Sequence, residues 1–148
     1  MSNPRDRSVG YWESFHNYAA GSRYAETGGM NETSYKDWSR GTHFQIGASP
    51  RTKRGEAVVT LSIGGNTKQE SEARFDALYR SRESIERALG FAAVWDRKDQ
   101  GNIKRCSISV YGGPDSDDRA NWPWLHAWTL YHLEAFDRVF HEHIKDLK

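Results

Sequence analysis

The sequence is poor in the features that announce a chemistry. It has one cysteine, Cys106, in 148 residues. That excludes an internal disulfide and a cysteine-based zinc site, and it fits a reducing compartment. It has no excess of either charge: Lys and Arg number 21 against 20 Asp and Glu. No global field therefore draws the chain onto nucleic acid or anionic lipid, and a polyanion site has to come from local clustering. No stretch approaches the roughly 20 apolar residues of a membrane span. The opening MSNPRDRSVGYW lacks the apolar run and cleavage pattern of a signal peptide. The expectation is a cytoplasmic protein without membrane contacts.

Motifs for metals and phosphates are equally sparse. His141 and His143, or His126 and His132, do not have the i, i+4 spacing that turns two imidazoles toward zinc. Asp115, Asp117 and Asp118 lack the terminal Glu of a calcium loop. Gly64-Gly65-Asn66 precedes a helical pattern without a phosphate-binding fingerprint, and no Ser–His–Asp order stands out. The expectation is no metal and no cofactor.

What the chain does have is large rings and clear periodicity. Aromatics make up 13% of residues, six of them Trp, against an apolar fraction of 36%, so bulky rings have to supply the core. Residues 1–10 are polar and read as a disordered tail, with 11–148 as a single domain. Tyr11, Trp12, Phe15, Tyr18 and Ala19 fall at helical spacing. Ser22 to Lys36 reads as a long loop. His43–Ser49 and Ala57–Ile63 alternate like two strands of a hairpin.

Thr67 and Glu70 have capping-box spacing and open a long helix with the stripe Phe75, Leu78, Ile85, Leu89, stopped by Gly90. Ala92–Trp95 and Ile103–Tyr111 read as a second pair of strands. Asn121 is the expected N-cap of a final helix lined by Leu125, Trp128, Leu133, Phe136, Phe140, Ile144 and Leu147. The order α-ββ-α-ββ-α predicts an α+β fold, a four-stranded antiparallel sheet packed by helices.

Alternation also divides the sheet into faces. Phe44, Ile46, Val59, Leu61, Ile63, Val94, Cys106, Ile108 and Val110 are expected to meet the helices. His43, Gln45, Val58, Thr60, Ser62, Trp95, Arg105, Ser107, Ser109 and Tyr111 are expected on the other side. A face mixing Trp, Tyr, Arg, His and hydroxyls resembles surfaces that stack bases and contact phosphates, although any antiparallel sheet with one wet face has a related composition. The hairpin connection Arg51, Lys53, Arg54, with Lys36 and Arg40 ahead of it, is the sharpest basic cluster. Asp96-Arg97-Lys98 after an apolar strand matches half of a metal-dependent nuclease motif, with Asp96 and Lys98 as weak catalytic candidates. That chemistry needs a second acid nearby to share the metal, and the strand VVTLSIG offers none.

The runs VVTLSIGGNTKQESEARF, FDALYRSRESIERALGFAAVWDR and DDRANWPWLHAWTLYHLEAFDRVFHEHIKDL resemble the bacterial domain-of-unknown-function 4268 family, over nearly the whole chain from about Tyr11. The resemblance rests on Phe75, Asp76, Leu78, Ile85, Glu86, Gly90 and Trp95, then on Trp122, Trp128, Phe136 and Phe140. It implies a domain that in longer relatives follows a nuclease-like domain of the restriction type, in defence or DNA processing, and hence a nuclease-like protein partner. It implies no catalytic residues. The expected function is a non-catalytic binding module for nucleic acid or a nucleotide. The alternatives are a metal-dependent nuclease built on Asp96 and Lys98, or a protein–protein adaptor or homodimer using the Trp-rich surface.

Overall fold

The computed structural model describes residues 4–20, 35–40, 43–50, 55–98 and 104–145. Helix α1 (Pro4–Tyr18) is followed by strands β1 (Tyr35–Arg40), β2 (Phe44–Ser49) and β3 (Ala57–Ile63). Helices α2 (Lys68–Tyr79) and α3 (Arg82–Leu89) lead to β4 (Val94–Asp96) and β5 (Cys106–Gly112), and α4 (Trp122–Ile144) closes the domain. The fold is α+β. The sheet is antiparallel throughout, in the order β1-β2-β3-β5-β4. Among the described residues no helix is long and apolar enough to cross a membrane.

The four expected strands are present, and β1 adds a fifth at the edge beside β2. Its sequence YKDWSR has no clean alternation, and its pairing with β2 shifts register between Lys36 and Trp38. An irregular edge of this kind gives periodicity analysis nothing to hold. Helix α1 likewise begins at Pro4, inside the stretch expected to be a tail. Proline suits a first helical turn, where its missing N–H would have had no partner.

The expected long helix is two. Thr67 accepts from the Glu70 N–H at 3.2 Å while the Glu70 carboxylate accepts from the Thr67 N–H at 3.0 Å, so the capping box is formed. Phe75 and Leu78 are buried. The next core residue is Ile85, and the run between them, YRSRES, puts no side chain into the core. With nothing pulling that turn inward, the Ser81 N–H closes on the Leu78 carbonyl at 2.9 Å and the helix ends. A fresh turn starts from Ser81, a residue type that competes with helical bonding. Gly90 ends α3 at φ 86°, the left-handed position expected of it.

Strands β2, β3 and β5 alternate, so their inward residues share one core with Phe75, Leu78, Ile85, Leu89 and the buried stripe of α4. Asn121 does not cap α4 with its side chain. A short 3-10 turn (Arg119–Asn121) intervenes, and Asp118 accepts from Ala120 N–H instead. Helix α1 lies against α4: Tyr11 Oη is 3.4 Å from Thr129 Oγ1, and Ser14 Oγ is 2.8 Å from His126 Nε2. Among the described residues the other ring nitrogen of buried His126 has no hydrogen-bond partner. Burial among rings lowers the His126 pKa to about 4.

Two outcomes follow from this packing. Ile85→Ala should cost about 2–5 kcal/mol in urea unfolding; a loss under about 1 kcal/mol would mean that α3 is not packed as described. His126 binds its proton more weakly folded than unfolded, so it favours the unfolded chain as pH falls from the ordinary 6.5 through about 4. Stability should drop across that window, by at most about 3 kcal/mol from this group, and His126→Gln should flatten that slope in unfolding curves taken at successive pH values.

Candidate functional site

With the apolar residues drawn to the helices, the other sheet face is built from what remains between them. Antiparallel register aligns it in rows: Gln45, Ser62, Ser107, Asp96; then Gly47, Thr60, Ser109, Val94; then Ser49, Val58, Tyr111. The middle row is low, with Thr60 Oγ1 and Ser109 Oγ hydrogen-bonded at 2.8 Å. The result is a trough of about 190 Å³ lined by Gln45, Gly47, Ala48, Ser49, Val58, Thr60 and Ser62. Sites for whole small ligands run to roughly 300–1,000 Å³. The trough suits part of a larger partner, such as a backbone segment, better than an enclosed small molecule.

The expected site residues divide. Gln45 and Tyr111 stand in the outer rows, and His43 is half-buried just ahead of β2. Arg51, Lys53 and Arg54 lie outside the described residues. Arg105 is held at the sheet end, its Nη2 3.4 Å from the carbonyls of both His43 and Ser62. The guanidinium lies over Gly64, where an added Cβ would meet it. Arg105 therefore ties strand ends together.

Trp95 is on the opposite face from the one expected. It pairs with Ile108 in a core row, and its ring stands edge-on to Phe75 and Tyr79 at 6.0 and 5.5 Å. Its indole N–H donates to Glu86 Oε2 at 3.1 Å, and the same oxygen accepts from Ala93 N–H at 2.8 Å. Val94, expected inside, is instead 47% exposed. Alternation over a three-residue strand cannot set its own phase; the Glu86 carboxylate sets it here.

Asp96 and Lys98 close on each other. The carboxylate accepts from Lys98 N–H at 3.0 Å and pairs with Lys98 Nζ at 3.0 Å, which holds the Asp96 pKa below its usual range. Arg97 between them turns to α2 and meets Asp76 through two bonds of 2.9 and 3.0 Å, with Glu72 at 3.3 Å. Among the described residues no three His, Cys, Asp or Glu side chains gather as a metal-binding group. The lone Cys106 is buried, its Sγ 3.2 Å from the Arg97 carbonyl oxygen.

Over residues 8–144 the chain matches the model of a domain of unknown function, DUF4268. It belongs to that family. Among curated proteins and solved structures, none matches the chain. The DUF4268-like positions serve the fold: Phe75, Leu78, Ile85, Phe136 and Phe140 are core, and Glu86 and Trp95 bond to each other. The charged cluster that periodicity analysis passes over in this DUF4268 chain lies elsewhere, at the α2–α3 break, where Arg80, Arg82 and Arg87 line one concavity.

The position of Trp95 has a measurable consequence. Trp95→Ala should cost about 3 kcal/mol of stability, as for a packed ring removed from a helix–sheet interface. An outward ring on a wet face would cost no more than about 0.5 kcal/mol, and chemical denaturation separates the two.

Proposed function

We propose that this DUF4268 chain is a non-catalytic binding module that contacts nucleic acid through the open face of its sheet, in a defence or DNA-processing setting alongside a nuclease-like partner. The observation that carries this reading is the shallow trough across β2 and β3, where Ser49, Thr60 and Ser62 stand among Gln45, Gly47, Ala48 and Val58 and no helix residue lines it. Ser and Thr hydroxyls donate to phosphate and sugar oxygens without reading bases. The third row, with Tyr111, adjoins the β2–β3 connection whose sequence carries Arg51, Lys53 and Arg54. With Trp95 turned inward, stacking on this face rests on Tyr111, so contact to the backbone outweighs contact to bases. The small volume of the trough favours a polymer over a free nucleotide. The enzymatic alternative loses support because the Asp96 carboxylate is occupied by Lys98.

Titration of short single- and double-stranded DNA and RNA at low salt tests the reading. Tyr111→Ala should cost about 1–3 kcal/mol with an unchanged salt slope. Neutralising Arg51, Lys53 and Arg54 should flatten the slope by about 0.7–0.9 log units for each phosphate they no longer neutralise. Absence of binding at high micromolar protein would overturn the proposal, and self-association in sedimentation would then favour a homodimer.

A further inference from the structure

We propose that the concavity at the α2–α3 break is a second site for nucleic-acid phosphates, remote in sequence from the sheet face; this role rests on the reading of the chain as a nucleic-acid module. The break follows from the sequence YRSRES, which supplies no core side chain, and it leaves an open hollow of about 510 Å³ whose lining includes Tyr79, Arg80, Ser81, Arg82, Glu83 and Arg87. Three arginines and one glutamate line it, in a chain whose net charge is only +1.

Ion pairs of the described residues include those of Arg97, Lys98 and Lys145, and Arg80, Arg82 and Arg87 are not among these. Glu83 precedes Arg87 at i, i+4, a spacing that permits a helical ion pair, yet the two do not pair. Of the neighbouring acids, Asp76 and Glu72 bond to Arg97 while Asp76 also feels the charge of Arg80, and Glu86 accepts from the neutral Trp95 and Ala93 N–H groups. Three permanently charged arginines along one hollow suit an anion.

The lining decides which anion. Sites for small molecules are mostly apolar with a few polar groups, whereas this one is arginine and serine with a single ring. That ring, Tyr79, is already engaged: Phe75 stacks on it at 5.9 Å, Trp95 meets it edge-on, and the Arg82 guanidinium lies 5.1 Å from its centroid. Arg82 also donates to Tyr79 Oη at 3.0 Å, which fixes one guanidinium at the rim. A ring held in this way is a poor platform for a base, so the hollow addresses phosphate. Exposed arginines bind a polyanion by releasing its condensed counterions, an effect that a single free phosphate does not supply.

The test is the triple variant R80Q/R82Q/R87Q of the full chain, beside R80K/R82K/R87K and Tyr111→Ala, each titrated with short single-stranded and duplex DNA across a salt series. The Gln variant should bind at least about tenfold more weakly at low salt, its slope flatter by about 0.7–0.9 log units for each phosphate left unneutralised. The Lys variant should keep the slope, since charge and not fork geometry carries counterion release. Unchanged affinity and slope in the Gln variant would overturn the inference, as would absence of DNA binding by the unaltered chain. Equal competition by poly-glutamate would also overturn it, as adsorption of any polyanion. Weakened binding in the Gln variant with Tyr111→Ala neutral would uphold this site and remove the sheet face; the reverse pattern would remove this site and leave the sheet-face proposal standing.

Discussion

Two-residue alternation in β2, β3 and β5 is the constraint from which the rest of the molecule follows. Each strand sends its large apolar side chains to one side, and antiparallel register stacks those residues into one continuous surface. A surface of that kind has to be covered, and α2, α3 and α4 cover it with α1 laid against α4. Because the described helices cover one face, the other consists of what fills alternate positions: chiefly Gly, Ser, Thr and one Tyr. The open trough is thus a consequence of the same pattern that builds the core.

The edges obey different forces. At β4 the strand is too short for alternation to decide anything, and a single carboxylate decides instead. Glu86 binds the Trp95 indole and the Ala93 N–H together, which turns the ring onto Phe75 and Tyr79 and leaves Val94 outside. The residues that follow are locked in turn, Asp96 by Lys98 and Arg97 by Asp76 and Glu72. The half-motif of the sequence thus lies at a strand end whose charged side chains pair with one another and with α2.

Sequence legibility tracks this division. The capping box at Thr67, the left-handed Gly90 and the inward sets of β2, β3 and most of β5 are legible because each depends on local chemistry or on several consecutive residues of one period. The phase of Trp95, the strand β1 and the break at Ser81 are not. The first depends on a bond across a turn, the second on an irregular edge, the third on the absence of any core residue between Leu78 and Ile85. The same blindness extends to the surface. In sequence Arg80, Arg82 and Arg87 belong to the solvated side of one long helix, and only the break turns them toward a common hollow.

Charge balance also has a different meaning once the partners are known. By composition, a chain with nearly equal numbers of acids and bases is ill suited to a polyanion. Yet acids and bases are spread unevenly: Asp76 and Glu72 gather on Arg97, and Asp96 closes on Lys98. The lining of the α2–α3 hollow carries three arginines against the single Glu83, a local excess of base that the near-zero total does not reveal. Attraction of a nucleic acid depends on that local field within roughly a Debye length, about 8 Å at physiological salt, and not on the sum over the chain. Near-neutrality is therefore no argument against nucleic-acid binding by this molecule; the distribution of committed and uncommitted charges is what matters.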